Sequence, residues 1–221
     1  MAPLFVAGTD TGVGKTVVSA VLLRAASRAG LPARYWKPVQ TGTDSDTATV
    51  RSLALAPEAR LAAPAFELPL PASPDQAATA AGVTIRLAEL DDALGDLAAA
   101  PGPLLVELAG GLCVPYGDGS LQVDWLARGP HRLVLVARSG LGTLNHSLLS
   151  LEALRRRGLE PEALVLVGQP HPANRASLER CWPGLRLVEL PLLDPLDPAA
   201  IDAWLDRHDL TWAWPSDATT T

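Results

Sequence analysis

The chain has 221 residues, 48% of them hydrophobic, and a net charge of −6. That length suits one sizeable α/β domain rather than two small ones. The acidic balance, with no basic block, argues against nucleic acid as a partner, and no apolar run approaches the roughly 18 residues that a membrane span needs.

Met1-Ala2-Pro3 has no basic n-region and leads straight into the apolar run Leu4-Phe5-Val6-Ala7, so no signal peptide is expected. Cys113 and Cys181 lie far apart without metal or disulfide spacing, which makes a reduced, cytoplasmic setting the default. The first strand is followed by a small-residue loop and then a helical stretch, Val17 to Gly30, with Val18, Val21, Leu22 and Ala25 at helical spacing. A second strand is expected over Ala33–Val39, a polar loop over Gln40–Asp46 and a short helix over Thr47–Ala56. The proline-rich stretch Pro64–Pro74 reads as an extended loop. A brief helix over Asp75–Ala81 and a longer one over Leu87–Ala100 follow.

Leu104–Leu108 reads as a buried strand opening into a loop, Ala109–Pro115, and Leu121–Leu126 as helical. Arg132–Ala137 is another buried strand. Ser139–Thr143 is a loop, and Leu144–Arg157 a helix that stops at Gly158. Strands at Ala163–Val167 and Arg186–Leu190, and a final helix over Pro198–Asp206, complete the pass. The domain is expected to span 1–212, with 213–221 a frayed polar tail. The alternation implies a single-domain α/β P-loop NTPase-like fold: a mostly parallel sheet with helices on both faces. Right-handed crossovers then put every polar loop after a strand on one edge, where ligands of such folds sit.

The loop Gly8-Thr9-Asp10-Thr11-Gly12-Val13-Gly14-Lys15-Thr16 carries the most chemistry. Between a strand and a helix it forms a phosphate cradle of backbone N–H groups, reinforced by the helix N-terminus. Gly12, Val13 and Gly14 would wrap the phosphates, Lys15 would neutralise them and the Thr16 hydroxyl would hold Mg²⁺. The match is a variant, because Thr9 stands at the first glycine position and Gly8 lies one residue early. Glu107, near the end of a buried strand, is a candidate metal ligand or a carboxylate facing water. Asp46 is a candidate third ligand, or one more polar residue of its loop beside Asp44. Lys37, at the end of the second strand, would face a phosphate or an anionic substrate, or else be a surface lysine. Thr41 could offer its hydroxyl to the same substrate. Gly142-Thr143-Leu144-Asn145 opens a helix and could bind a carboxylate or serve as a simple cap. His131, His146, His171 and His208 are scattered, and no nucleophilic Ser/His/Asp or Cys/His set is present.

In this order, several segments resemble the dethiobiotin synthetase family: the P-loop, Tyr35-Trp36-Lys37-Pro38-Val39, Thr41-Gly42, Ser45-Asp46, Ser73-Pro74, Val106–Gly111 and Gly142–His146. The likeness runs from about Phe5 to about Val167. It implies a homodimer that closes a cyclic urea on 7,8-diaminopelargonate with CO₂, ATP and Mg²⁺, through a carbamate and then a mixed carbamic–phosphoric anhydride. By resemblance, Thr16, Asp46 and Glu107 hold Mg²⁺. Lys15 and Lys37 stabilise the transferring phosphoryl group. Thr11, Lys37 and Thr41 contact the diamine and carbamate, and Gly142, Thr143, Leu144 and Asn145 take the tail carboxylate from the partner subunit. Two positions depart from the family pattern. Leu108 replaces a glycine after Glu107, which should constrain that loop. Gly168-Gln169-Pro170 stands where an adenine-reading Asn is usual, leaving Gln169 as the amide on the base side.

Three rival readings exist. A related P-loop amide-forming synthetase would usually carry an attached glutaminase domain, for which this chain is too short. A ParA/MinD-like regulatory ATPase would usually carry a second, early P-loop lysine, whereas Asp10 and Thr11 fill that region here. A catalytically dead paralogue has only Leu108 as its hint.

Overall fold

The computed structural model describes residues 2–117 and 119–214. In chain order its elements are β1 (Leu4–Gly8), α1 (Lys15–Arg28), β2 (Arg34–Trp36), β3 (Val39–Thr41), α2 (Asp46–Ala54), β4 (Leu61–Ala62), β5 (Phe66–Leu68), α3 (Pro74–Ala80), α4 (Leu87–Ala99) and β6 (Leu104–Gly111). Then come β7 (Pro115–Gly117), β8 (Ser120–Leu121), α5 (Gln122–Leu126), β9 (Arg132–Arg138), α6 (Thr143–Arg155), β10 (Ala163–Val167), α7 (Pro172–Cys181), β11 (Leu187–Leu190) and α8 (Pro198–Leu205).

Seven strands form one parallel sheet in the order β11-β10-β9-β1-β6-β2-β4. β1 is central, and the chain winds outward from it in both directions, so the loop after β1 opens at a topological switch point. The period of two along each strand sorts the core into two layers. Leu4, Val6, Leu105, Val134, Val136 and Val165 pack with Val18 and Leu22 of α1, Val50 of α2 and Trp204 of α8. Phe5, Ala7, Val106, Leu133, Leu135 and Leu166 pack with Leu90 of α4, Trp125 of α5, Leu154 of α6 and Leu178 of α7. The expected α/β sandwich is therefore the fold. None of the described helices is long and apolar enough to cross a membrane.

The strand expected over Ala33–Val39 is two strands in two different sheets. Pro38 has no N–H to donate to a ladder. Its carbonyl instead accepts from Ala65 and Phe66 at 2.9 and 3.0 Å, and β3 peels away to pair with β5. That pairing turns part of the expected Pro64–Pro74 loop into a strand. Helix α7 lies where no helix was expected. Its sequence is mostly polar, it buries only Leu178, and it starts with His171 Nδ1 accepting from the Asn174 N–H and with Pro172 in its first turn. The chain also stays packed beyond 212. Ala213 and Trp214 are buried, and the Trp214 indole donates to the Leu22 carbonyl at 2.9 Å. The rest of the expected tail, 215–221, lies outside the described residues.

Leu108 does not end the strand as its place in the glycine-rich motif suggests. β6 runs on to Gly111, with its pairing to β1 slipping between Val6↔Glu107 and Gly8↔Gly111. The slip carries two extra residues on β6, and Gly110 supplies a positive φ of 55° within it. Leu108 itself is fully buried in the same core layer as Trp36 and Tyr116.

Candidate active site

The P-loop follows the last residue of β1. Gly8 has no room for a side chain, since a Cβ there would lie 2.9 Å from the Asp10 and Gly110 carbonyl oxygens and from Lys15 Nζ. Gly14 caps α1 with φ 98°, a conformation that glycine adopts at little cost. Lys15 and Thr16 thus become the first two residues of α1, with their side chains at its electropositive end. Val13 is buried in the core, so what it offers a ligand is its backbone.

Five side chains from four separate segments meet in front of this helix. Glu107 comes from β6, on the face that α1 covers, and is fully buried. Lys37 follows β2 and Asp46 is the first residue of α2. Thr16 Oγ1 lies 2.8 Å from Asp46 Oδ1 and 2.9 Å from Glu107 Oε1. Lys37 Nζ is 2.5 Å from Asp46 Oδ2 and 3.1 Å from Glu107 Oε1. Lys15 Nζ folds back to donate to the Asp10 carbonyl at 3.0 Å. The cleft in front of them measures about 670 Å³ and is also lined by Thr11, Gly12, Thr41, Ser73, Pro74 and Gly110.

Burial pulls the Lys37 pKa down, but the Glu107 and Asp46 carboxylates outweigh that, and the net effect is a raised value. Lys15 donates to a backbone carbonyl rather than to a carboxylate. Burial, with the Lys37 charge adding to it, lowers its pKa to about 8. Tyr35, buried beside them, donates its hydroxyl to Glu107 Oε2 at 2.9 Å. Burial and then the Glu107 charge push its pKa well above the ordinary value.

The donor set fits a hard divalent cation. Among the described residues no cluster of three His, Cys, Asp or Glu exists, but two carboxylates and a hydroxyl converge here. A threonine hydroxyl has one proton, yet Thr16 Oγ1 has a carboxylate oxygen on each of two sides. One of those oxygen pairs therefore faces lone pair to lone pair. A cation among these oxygens resolves the conflict, and oxygen ligands of this kind, completed by phosphate and water, suit Mg²⁺.

Most of the residues singled out in the sequence are gathered here: Thr11, Gly12, Gly14, Lys15, Thr16, Lys37, Thr41, Asp46 and Glu107. Gly142–Asn145 are not. They open α6 outside this cleft, with Gly142 at φ 91°. The Thr143 side chain is buried and shares a 3.3 Å hydrogen bond with Ser147, while Gly142 and Asn145 on either side of the turn are exposed. The next turn of α6 lines a neighbouring cleft of about 440 Å³ through His146 and Ser150. That cleft shares Thr11 and Val114 with the first and includes Cys113. Gln169 is exposed, and its carbonyl accepts from the Ser139 hydroxyl at 2.6 Å.

Three groups at the site were not singled out in the sequence. Tyr35 could have been, since two residues along a strand share a face and Lys37 is two residues on. Asp10 fixes the loop from both ends of its carboxylate: Oδ1 accepts the Thr11 N–H at 2.7 Å, and Oδ2 pairs with Arg138 at 3.1 Å. The third, Gln40, gives no sign in the sequence beyond opening a polar loop.

A family model described as an AAA domain matches residues 2–200. The ATP-dependent dethiobiotin synthetase BioD of Rhodopseudomonas palustris is 44% identical over 215 residues, 94% of this chain and 98% of that protein. The enzyme of the same name from Agrobacterium fabrum is 42% identical over 205 residues, 92% of each chain. The biotin biosynthesis bifunctional protein BioCD of Bordetella avium is 46% identical over 204 residues, but this chain spans only 42% of its length. Among solved structures, a ParA family ATPase from Chlorobium tepidum superposes with a TM-score of 0.56 over 96% of this chain and 95% of its own, at 12% identity. That likeness speaks for the fold alone. With the P-loop, the two lysines and the two carboxylates assembled in one cleft, and with this identity over nearly the full length of single-domain relatives, the chain belongs to the ATP-dependent dethiobiotin synthetase family.

Proposed function

We infer that this chain closes the cyclic urea of dethiobiotin from 7,8-diaminopelargonate and CO₂, coupled to cleavage of ATP to ADP and phosphate. The observation that carries the reading is the convergence of Lys15, Thr16, Lys37, Asp46 and Glu107 in one cleft, on a chain 42–44% identical to enzymes named for that reaction.

The residues divide the work by position. The backbone N–H groups of Gly12, Val13 and Gly14, with the start of α1, cradle the β- and γ-phosphates. Lys15 and Lys37 offset charge as the γ-phosphoryl group passes to the carbamate oxygen, a reaction in which positioning and electrostatics dominate. Thr16, Asp46 and Glu107 would hold Mg²⁺, which when bound neutralises the phosphate oxygens. Thr11 and Thr41 offer hydroxyls to the diamine and carbamate at the mouth of the cleft. The Gly142–Asn145 turn lies outside this cleft, which supports the reading that it serves the site of a second copy in a homodimer, its N–H groups taking the substrate's tail carboxylate. Gln169, exposed after β10, is our candidate for the amide that meets the base. We take 1–214, two residues more than the sequence reading gave, as the functional domain and a cytoplasmic setting as its place.

The test mixes purified protein with 7,8-diaminopelargonate, bicarbonate, Mg²⁺ and ATP, and follows dethiobiotin by mass and ADP by coupled assay. One dethiobiotin per ADP is the expected result. ADP without dethiobiotin would overturn the reading in favour of a related ligase or a regulatory ATPase.

A further inference from the structure

Gln40 contributes no atom to the cleft described above, and nothing in its chemistry could transfer a group. It is nonetheless a polar side chain only 5% exposed, and all of its hydrogen-bonding directions converge on one short segment. Its Nε2 donates to the Thr41 carbonyl at 3.0 Å and to the Asp44 carbonyl at 2.8 Å. Its Oε1 accepts the Asp46 N–H at 3.3 Å. The side-chain amide therefore closes the turn between β3 and α2 from the inside, clasping both ends of residues 41–46. Ser45, as cap of α2, accepts from the Ala48 N–H at 3.1 Å, which starts the helix at Asp46. The Asp46 carboxylate is then held with Oδ1 on Thr16 and Oδ2 on Lys37.

This loop needs such a clasp. It is polar, largely exposed from Thr43 to Ser45, and joins a three-residue strand to a nine-residue helix. Nothing apolar in it can fix its path. A ligand placed loosely by even an ångström loses much of its metal affinity, so a carboxylate on a polar loop depends on outer partners.

We propose that Gln40 is a positioning residue for divalent-cation binding: its buried amide sets the path of residues 41–46 and so delivers the Asp46 carboxylate to the metal site. This rests on the reading above in which Asp46 holds the cation. The test uses Mn²⁺ as the probe, titrated into the ADP-saturated protein and followed by the free-Mn²⁺ paramagnetic resonance signal. Four proteins are compared: the parent, Gln40→Met, Asp46→Asn and the double variant. Methionine keeps the length and bulk of Gln40 while removing its polar atoms. ADP affinity without metal and thermal melting are measured beside it.

Gln40→Met should weaken Mn²⁺ binding about tenfold or more and leave metal-free ADP affinity within about twofold. In the Asp46→Asn background it should cost almost nothing further, because its effect runs through that carboxylate. If Asp46→Asn weakens Mn²⁺ and Gln40→Met does not, or if the two losses simply add, the role given to Gln40 is wrong while the cation site stands. If Gln40→Met weakens metal-free ADP binding as much as Mn²⁺ binding, Gln40 is only a structural prop and the proposal fails. If Asp46→Asn itself leaves Mn²⁺ affinity unchanged, the underlying cation assignment falls and the proposal with it.

Discussion

The Lys37 ammonium lies 2.5 Å from Asp46 Oδ2 and so occupies the place where a divalent cation would find its oxygens. Its second contact, 3.1 Å to Glu107 Oε1, completes the bridge between the two carboxylates. Without a metal, this lysine is the internal counter-ion that lets Glu107 remain fully buried. Leaving a buried charge unpaired is strongly unfavourable. If Asp46 and Glu107 hold a cation as proposed, metal and lysine would compete for the same carboxylates, and Lys37 would then be free to face the transferring phosphoryl group.

Replacing Lys37 with Met should separate these two roles. In the absence of nucleotide the variant should bind Mn²⁺ more tightly than the parent, by about tenfold, since no ammonium has to be displaced and two unpaired carboxylates are left. Turnover should fall by on the order of 10²-fold or more, because one clamp on the transition-state charge is gone. Mn²⁺ calorimetry beside a steady-state assay reads both. Weaker Mn²⁺ binding in the variant would mean that the lysine supports the site rather than holding it in reserve.

Tyr35 holds the other oxygen of Glu107. Changing it to Phe keeps the packing and deletes one buried hydrogen bond to a charged group, which costs about 1.5–3 kcal/mol. The variant should melt several degrees lower. Because Glu107 loses the donor that fixes its rotation, the Mg²⁺ concentration needed for half-maximal activity should also rise. A lower melting point with an unchanged Mg²⁺ requirement would confine Tyr35 to stability.

The Lys15 pKa of about 8 has a signed consequence. In the free protein the ammonium is half neutralised near pH 8, whereas in the unfolded chain it stays protonated up to about 10.5. Between those values the unfolded state binds more protons, so this group disfavours folding below pH 8 and that handicap fades as pH rises toward 10.5. Bound phosphates reverse the bias by favouring the cation. ATP binding near pH 8.5 should therefore take up about three-quarters of a proton at Lys15, falling toward none at pH 6.5. Calorimetry in buffers of different ionisation enthalpy measures this directly. No uptake at pH 8.5 would mean that Lys15 is already fully charged in the free protein.

The sequence made the sheet legible because its strands are continuous apolar runs separated by helical periods. The P-loop was legible because its glycines and Lys-Thr pair are tied to one geometry. What escaped was decided by tertiary pairing. Pro38 splits one apparent strand, because the lost N–H shows its effect only when a second sheet offers the β5 partner. Helix α7 escaped because its polar sequence has no apolar stripe, and only Leu178 anchors it. At the site, Lys37, Asp46 and Glu107 each had a plausible surface reading, and only the fold places them within 2.5–3.1 Å of one another or of Thr16. Gln40 carries no motif at all, and Tyr35 lies in a matched segment only as a neighbour of Lys37, so the parts of both are defined by what they touch.

Gly14 gives a prediction in which two local constraints coincide. Its φ of 98° is unfavourable for any residue with a Cβ. An added Cβ would also stand 2.9 Å from Val167 Cγ1 at the end of β10, a contact that needs the strand or the loop to shift. Holding a non-glycine residue in such a conformation costs about 1–3 kcal/mol, and the shift falls on the turn that delivers Lys15 and Thr16. Gly14→Ala should therefore lower the melting temperature and also weaken ATP binding at least tenfold. Trimming the neighbour tells the two causes apart. If the clash with Val167 dominates, Gly14→Ala combined with Val167→Ala should recover much of the ATP affinity lost in Gly14→Ala alone. If backbone strain dominates, the double variant should bind no better than the single one. Fluorescent-nucleotide titration of the three variants beside the parent decides it, and parent-like affinity in Gly14→Ala itself would show that the loop tolerates a Cβ at its turn.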